Sequence, residues 1–506
     1  MAGVQKHLLA IDQGTTGSTA LVMDTGGRTL GRENHEFSQH FPKPGWVEHE
    51  PEEIWQSVSK SVSGALKGAG VSAADIAAIG ITNQRETTLL WDRKTDKSVH
   101  RAIVWQDRRT SAHCAELQKA GHESAVRRAT GLVLDPYFSG TKLAWLLDNV
   151  DGARARAQAG ELAFGTVDSY LVWRLGGGAS GGAPHVTDVT NASRTLLMDL
   201  SARRWHHGMC ELLNVPEAVL PKIVASAGEI GRTKGLAFLP DGIPVAGMAG
   251  DQHAALFGQA CFDIGEAKCT YGTGAFVLVN VGSKPVSSQF GLLSTVGWQI
   301  GSEVVYALEG SAFIAGAAVQ WLRDGLGLIE KASQIEELAR SVDSSDGVHF
   351  VPALAGLGAP YWDPNARGTL TGITRGTTKA HVARATLEAL AFEVNDLVRA
   401  MSDDLKKPVT RMRVDGGAAA NNLLMELQAD FSDLVVERPT DLESTARGAA
   451  MLAGIGSGLL SGPSAALSML HVDRTFEPKI TDKDRDQRLA GWRDAVRRSR
   501  SDLGAG

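Results

Sequence analysis

The segment "DQGTTGST", Asp12 to Thr19, concentrates the chemistry of the opening residues. It lies between two apolar runs, "LLAI" and "ALVM". Gly14 lets backbone N–H groups come close to an anion, and Thr15, Thr16 and Ser18 add hydroxyl donors. A carboxylate at a strand end, Asp12, suits Mg²⁺ held partly through water. Taken alone, the loop reads first as a hairpin turn with threonines facing solvent. It lacks the G-K-[ST] of a Walker A loop, and no helix follows it as in a dinucleotide fingerprint. Two further loops change the reading. "YGTG" (Tyr271–Gly274) offers a second phosphate cradle, and "DGGAAANN" (Asp415–Asn422) sets two glycines before a helix N-terminus. Cradles distributed over both halves of a chain imply a nucleotide gripped between lobes, whose closure excludes water from a phosphoryl donor.

These loops need strands and helices to hold them. Apolar runs of strand length alternate with helical patterns, which predicts an α/β chain. Early strands are expected at Leu8–Ile11, Thr19–Met23, Ile76–Thr82 and Thr88–Trp91. A helix is expected from Pro51, with Ile54, Val58, Val62 and Leu66 on its apolar face. Another is expected from about Thr378 to Asp404, and "SAFIAGAAVQWL" reads as a packed helix. "GGGASGGAP" (Gly176–Pro184) reads as a surface loop. The small-residue strand "IPVAGMAG" leads into Asp251 and a helix, so Asp251 is also a candidate helix cap. The Gly/Thr turn before a strand occurs twice, "GTTG" before "TALVM" and "YGTG" before "AFVLV". This points to a weak duplication with a boundary near 255–265.

Composition sets limits. The chain has 506 residues, 43% hydrophobic and 21% charged, with a net charge of −6. That size supports two large domains or three smaller ones. No Lys/Arg stripe stands out, which argues against a nucleic-acid surface. "RDAVRRSRS" reads as a solvated helix face. Cys114, Cys210, Cys261 and Cys269 form no C-x-x-C pair and are expected to be free thiols in a reducing compartment. The N-terminus "MAGVQKHLLAIDQG" lacks a long apolar core, and "STARGAAMLAGIGSGLL" fits a buried helix better than a membrane span. A cytoplasmic protein without membrane insertion is expected.

The ordered set "DQGTTGST", "PKPGWVEHEPEEIW", "IGITNQRETTLLWD", "AIVWQDRRT", "LDPYFSGTKLAWLL", "FGTVDSYLVWRL", "VTNASRT", "AGDQHAALFGQ", "TYGTGAF", "LGAPYWDPNARGTLTGITRG" and "RVDGGAAANN" resembles the FGGY carbohydrate kinases over nearly the whole chain. Within that family it is most similar to the members that act on glycerol. The resemblance implies two ribonuclease-H-like domains of the actin-like ATPase fold with a cleft between them. It puts a polyol-binding and phosphate-loop domain at 1–258 and a nucleotide-binding domain at 259–506. It implies ATP-dependent phosphorylation of glycerol, the first step of glycerol catabolism, with ATP as co-substrate, Mg²⁺ as cofactor and a homo-oligomer, dimer or tetramer. The polyol would meet Arg85, Glu86, Trp105, Tyr137, Asp251, Gln252 and Phe276. The nucleotide would meet Asp12, Gly14, Thr15, Thr16, Ser18, Thr273, Gly274, Gly316, Gln320, Gly417 and Asn421. Asp12 and Asp251 would flank the metal, and Asp251 would be the general base.

This is sensible chemistry: Arg85 donates to hydroxyl oxygens, Glu86 and Asp251 accept from O–H groups, and Trp105 and Phe276 wall the carbon side. Each residue also has a plainer reading. Arg85–Glu86 could be a surface or interdomain ion pair, and Trp105 and Tyr137 could be core aromatics. Two rivals stay open, another FGGY sugar or polyol kinase and an actin- or Hsp70-like ATPase. The chain departs from the family in carrying Thr19 where regulated bacterial members often have arginine, and His253 where many have a second glutamine. A loop that in some members binds fructose 1,6-bisphosphate through Gly-x-Arg has Pro240 and Gly242 here.

Overall fold

The structure, a computed structural model, describes residues 7–501. The readings of the leader and of the domain ends touch 1–6 and 502–506, which lie outside the described residues. A 13-stranded mixed sheet runs through the molecule. In chain order its strands are β1 (His7–Gln13), β2 (Gly17–Met23), β3 (Thr29–Glu36), β4 (Ile76–Asn83), β5 (Ala227–Arg232), β6 (Pro244–Gly250) and β7 (Glu266–Tyr271). They continue with β8 (Ala275–Gly282), β9 (Leu293–Ile300), β10 (Glu303–Ala312), β11 (Arg411–Asp415), β12 (Val435–Pro439) and β13 (Val472–Phe476). Their spatial order is β13-β12-β11-β7-β8-β10-β9-β5-β6-β4-β1-β2-β3.

That order contains one pattern twice. β1, β2 and β3 form an antiparallel meander, with β4 and then β6 added parallel on the far side of β1. Likewise β7 pairs antiparallel with β8 and β8 with β10, while β11 and then β12 add parallel beyond β7. The duplication expected from the Gly/Thr turns is therefore a duplication of topology. β5 and β9 join the two halves through Ala227 and Ile300.

The helices form where the apolar spacing demands. Helix α1 (Pro51–Ala69) starts on proline with Glu52 and Glu53 in its first turn, buries Ile54, Val58, Val62 and Leu66, and stops at Gly70, whose φ is 65°. Helix α2 is Ser139–Asn149, α3 Asp251–Gly258, α4 Gly316–Asp324, α5 Lys379–Leu405, α6 Asn422–Ser432, α7 Ser444–Gly456 and α8 Asp482–Ser499. Thr378 caps α5, which buries Leu387, Leu390, Val394, Leu397 and Met401. Helix α7 is the buried helix expected there, and no helix among the described residues is long and apolar enough to cross a membrane. All four cysteines are free and buried.

Helix α7 belongs to the second half of the sequence but packs on the first. A Cβ on Gly80 of β4 would stand 2.1 Å from the Ala449 carbonyl, and one on Gly448 would stand 1.8 Å from the Ala254 carbonyl of α3. Only glycine permits these backbone contacts, which lock α3 and α7 together between the halves. "SAFIAGAAVQWL" is a helix only from Gly316. Its first two residues, Ser311 and Ala312, end β10, because the next turn is fastened to another loop: the N–H groups of Ala315 and Ala317 donate to the Thr273 carbonyl, and that of Gly316 donates to Gly272.

Candidate active site

Asp12 near the end of β1, Arg85 just past β4 and Asp251 just past β6 stand at the carboxyl ends of parallel strands, where open α/β sheets place ligands. In the second half the Tyr271–Gly274 turn and Asp415 end β7 and β11 in the equivalent way. The 14–16 turn is held from below. Gln84 Nε2 donates to Gln13 Oε1 at 3.0 Å and to the Gly14 carbonyl at 3.2 Å, and Gln39 Nε2 donates to the Thr15 carbonyl at 3.0 Å. The Trp105 indole N–H donates to Thr15 Oγ1 at 2.9 Å, while Thr16 is exposed. Ser18, expected to face the nucleotide, does not: it pairs with Gln13 in the β1–β2 ladder, is fully buried, and its hydroxyl meets Ser57 of α1 at 2.7 Å. Gly274 likewise has a packing role, since a Cβ there would stand 2.5 Å from the Ala312 carbonyl.

Arg85 and Glu86 sit in a buried ion network that crosses the halves. Arg85 Nη1 and Nη2 donate to the two carboxylate oxygens of Glu309 at 2.5 and 2.9 Å, and Nη2 reaches the Tyr137 hydroxyl at 3.2 Å. Its Nε lies 3.2 Å from Asp251 Oδ1. Arg194 donates from Nε to Glu86 Oε1 at 2.7 Å and from Nη2 to Glu309 Oε1 at 3.1 Å. Burial alone would raise Glu309, but Arg194 and Arg85 hold it well below the ordinary carboxylate range. Glu86 has φ of 58°, the left-handed region that a residue with a side chain occupies at a cost. Arg85 is thus ion-paired across the halves, but chiefly with Glu309 rather than Glu86, which is 3.9 Å from it, and the pair is buried, not on the surface; it coexists with the placement of Arg85 beside Asp251. Neither Arg194 nor Glu309 was foreseen.

Trp105, Tyr137, Gln252 and Phe276 are half-buried, and Tyr137 touches this network through its hydroxyl. Trp105 meets Tyr137 edge-on, with centroids 5.7 Å apart at 72°. Lys142 of α2 fixes the Tyr137 backbone: its ammonium donates to the carbonyls of Pro136, Tyr137 and Phe138 at 2.9, 2.6 and 2.9 Å. Burial draws Lys142 down to about 7. Lys268 of β7, also buried and unforeseen, donates to Gln252 Oε1 and, at 3.0 Å, to Thr270 Oγ1.

Gly250, not Asp251, occupies the cap position of α3, and Asp251 is the first helical residue. Its side chain is one-third exposed, and Oδ1 accepts the Gln252 N–H at 2.7 Å. Asp12 is pushed up to about 8, first by burial and then by the negative charges of Asp251 and Glu443. A buried carboxyl raised in part by a neighbouring carboxylate, as Asp12 is by Asp251, suits a divalent cation. Among the described residues no cluster of three or more acidic, His or Cys side chains could hold a metal. Mg²⁺ needs no such cluster, since one or two carboxylates commonly bind it together with nucleotide phosphates and water.

Across the cleft, in the second half, is a cavity of about 480 Å³. Thr273, Gly316, Gln320, Gly417 and Asn421, which the resemblance gave to the nucleotide, line it together with Val319, Leu387, Leu390 and Leu424 as apolar walls that no motif marked. Asp12, Gly14, Thr15 and Thr16 are not among its lining residues and belong to the opposite loop. Gly416, with φ of 85°, allows the 415–417 turn to approach the Tyr271 carbonyl, where a Cβ would stand at 2.4 Å. Asn421 caps α6 by accepting the Leu424 N–H at 2.9 Å. The polar cleft edge and the apolar pocket together suit a nucleotide, phosphates at the turns and base against the leucines.

Known proteins resemble the chain over nearly its whole length. Residues 7–258 match the N-terminal domain of the FGGY family of carbohydrate kinases, and residues 267–457 match its C-terminal domain. The chain is 56% identical over 496 residues to a glycerol kinase of Myxococcus xanthus, covering 98% of this chain and 99% of that protein. It is 53% identical over 495 residues to a glycerol kinase of Deinococcus radiodurans, covering 98% of each. The crystal structure of Plasmodium falciparum glycerol kinase with ADP superposes with a TM-score of 0.92 at 35% identity, over 98% of each chain.

Proposed function

We propose, from the premise that this chain belongs to the FGGY family of carbohydrate kinases, that it transfers the γ-phosphoryl group of ATP to glycerol. The product is sn-glycerol 3-phosphate. One observation carries the reading: nearly full-length likeness to proteins named glycerol kinase coincides with an intact Asp12, Arg85 and Asp251 at the strand ends.

In this reading glycerol lies over the Arg85–Asp251 pair with its carbon side against Trp105 and Phe276. Glu86, Tyr137 and Gln252 belong to the same polyol set. Asp251 accepts the proton of a terminal hydroxyl as that oxygen attacks the γ-phosphorus in line and ADP departs. Thr15, Thr16 and Thr273 offer donors to the phosphate oxygens, and Gly14 and Gly417 keep the backbone close. Gly316, Gln320 and Asn421 belong to the wall of the nucleotide cavity. Asp12 and Asp251 would hold Mg²⁺, which neutralises charge on the phosphates when bound. A loose transition state leaves little covalent work for the protein, so positioning and a dry cleft account for most of the rate. The first domain, 1–258, carries the polyol and the phosphate loop, and the second, 259–506, carries the nucleotide.

A coupled assay of ADP release with and without glycerol tests the reading. Release should depend on glycerol and be stoichiometric with glycerol 3-phosphate. Equal release in both conditions would instead describe an actin- or Hsp70-like ATPase. A faster rate with a pentulose or sugar acid would describe a different member of the family.

A further inference from the structure

Glu309 is a carboxylate from the second half placed beneath the polyol residues of the first. It takes three N–H donors, two from Arg85 and one from Arg194. Arg194 in turn reaches Glu86. All four side chains are at most 3% exposed, and their formal charges cancel. Arg194 also lies against the Tyr137 ring, 5.6 Å from its centroid. The network thus ends directly against two groups of the polyol face, Tyr137 and, through Arg85 Nε, Asp251.

This arrangement has a consequence for which ligands the site accepts. A guanidinium fork binds a carboxylate in two-point fashion, and a free Arg85 would be a ready receptor for an acid. Glu309 fills that fork from within the protein. We propose that Glu309 and Arg194 are specificity-determining residues, which balance Arg85 and Glu86 so that the site takes a neutral polyol and turns away its charged three-carbon analogues. The inference rests on the polyol reading above and adds the residues that set its charge preference.

The test uses the full chain and two probes of opposite sign, D-glycerate as the anion and 3-amino-1,2-propanediol as the cation, each as a competitor of glycerol phosphorylation. For each variant the inhibition constant is divided by the glycerol KM. In Glu309→Gln the ratio for glycerate should fall about tenfold or more, while the ratio for the amine does not fall. In Arg194→Gln the amine should gain and glycerate should not. The double variant Glu309→Gln/Arg194→Gln restores the balance, and both ratios should return towards those of the wild type. A merely structural role would move both probes together, and that outcome overturns the proposal. Thermal unfolding of each variant establishes that it folds. If Glu309→Gln does not fold, Arg194→Gln decides alone: no gain in amine binding overturns the proposal. A wild-type protein that does not phosphorylate glycerol at all overturns the polyol reading itself, and this inference with it.

Discussion

Arg85 and Glu309 form a two-point ion pair, at 2.5 and 2.9 Å, between the loop after β4 and strand β10. One contact therefore joins the polyol face to the second half of the sheet. Removing the arginine leaves Glu309 buried with Arg194 as its remaining cationic partner. Arg85→Ala should cost about 3–5 kcal/mol of stability, as breaking buried pairs does. It should also raise the glycerol KM roughly 10- to 100-fold, more than the ATP KM. Denaturant unfolding and steady-state kinetics on one preparation separate the two effects. Equal rises in both KM values would mean that Arg85 serves only to hold the halves together.

Asp251→Asn should nearly abolish turnover while ATP binding persists. General-base catalysis alone is worth about 10²–10⁴-fold. Because Gly250 holds the cap position, the substitution should leave α3 in place. Single-turnover rates and equilibrium binding of ATP check this. A variant within a few-fold of the wild-type kcat would remove Asp251 from proton transfer.

Two glycines should respond in opposite ways to alanine. A Cβ at Gly417 meets no atom within 4 Å and adds bulk beside the nucleotide cavity. Gly417→Ala should raise the ATP KM several-fold with unfolding shifted by less than about 0.5 kcal/mol. A Cβ at Gly448 would stand 1.8 Å from the Ala254 carbonyl, so Gly448→Ala should lose at least about 1–3 kcal/mol. Equal stability of the two variants would contradict the close packing of α3 on α7.

The features that sequence made legible are those with local causes. An apolar run, a Gly/Thr turn and a second run specify the β1–β2 hairpin, and the spacing of Leu387, Leu390, Val394, Leu397 and Met401 specifies α5. Arg194 and Glu309 were not legible, because only tertiary packing brings a turn at 194 and a strand at 309 to the loop at residue 85. The segment "VTNASRT", which holds Arg194, contributed to the family likeness without a role for that arginine. Ser18 was misplaced for a related reason: strand register, invisible in a turn motif, decides which hydroxyls face the loop and which face α1. Gly316 and Gln320 came from the resemblance alone, since small residues on a helix do not distinguish a cavity wall from a core.

The pH dependence of stability should reveal a half-buried acid on α5. Glu393 on α5 is raised from 4.5 to about 8, first by burial and then by Asp396. Asp396 is itself held by the Tyr361 hydroxyl at 2.8 Å and the Trp492 indole N–H at 2.7 Å. A raised carboxyl favours the fold while protonated. Its contribution is complete below the unfolded value near 4.5 and is lost as pH rises through about 8. Glu393→Gln removes that loss, so its stability relative to the wild type should grow between pH 5 and pH 9 by about 1 kcal/mol or more. A constant difference across this range would show that Glu393 does not titrate there.

The Pro240–Gly242 loop bears on regulation. A Gly-x-Arg loop holds a phosphate through a backbone donor and a permanently charged fork. Here Pro240 has no N–H, and Gly242 carries no charge and donates its N–H to the Thr233 carbonyl at 2.8 Å. The nearby cations are committed elsewhere. Lys234 lies 2.7 Å from Asp241, which also accepts the Gly235 N–H at 2.7 Å. Arg232 donates to Glu229 at 2.9 and 2.6 Å and to the Gly242 carbonyl at 2.9 Å. A phosphate arriving at this loop would have to displace Asp241 from Lys234 and would meet that carboxylate on the way. A lysine so released would still lack the geometry of the missing arginine. Millimolar fructose 1,6-bisphosphate should therefore leave the initial rate unchanged at saturating ATP and glycerol. The control is sulfate at equal ionic strength, which reports general screening of surface charge. Saturable inhibition that sulfate does not reproduce and that Lys234→Ala abolishes would show that the lysine exchanges Asp241 for the ligand.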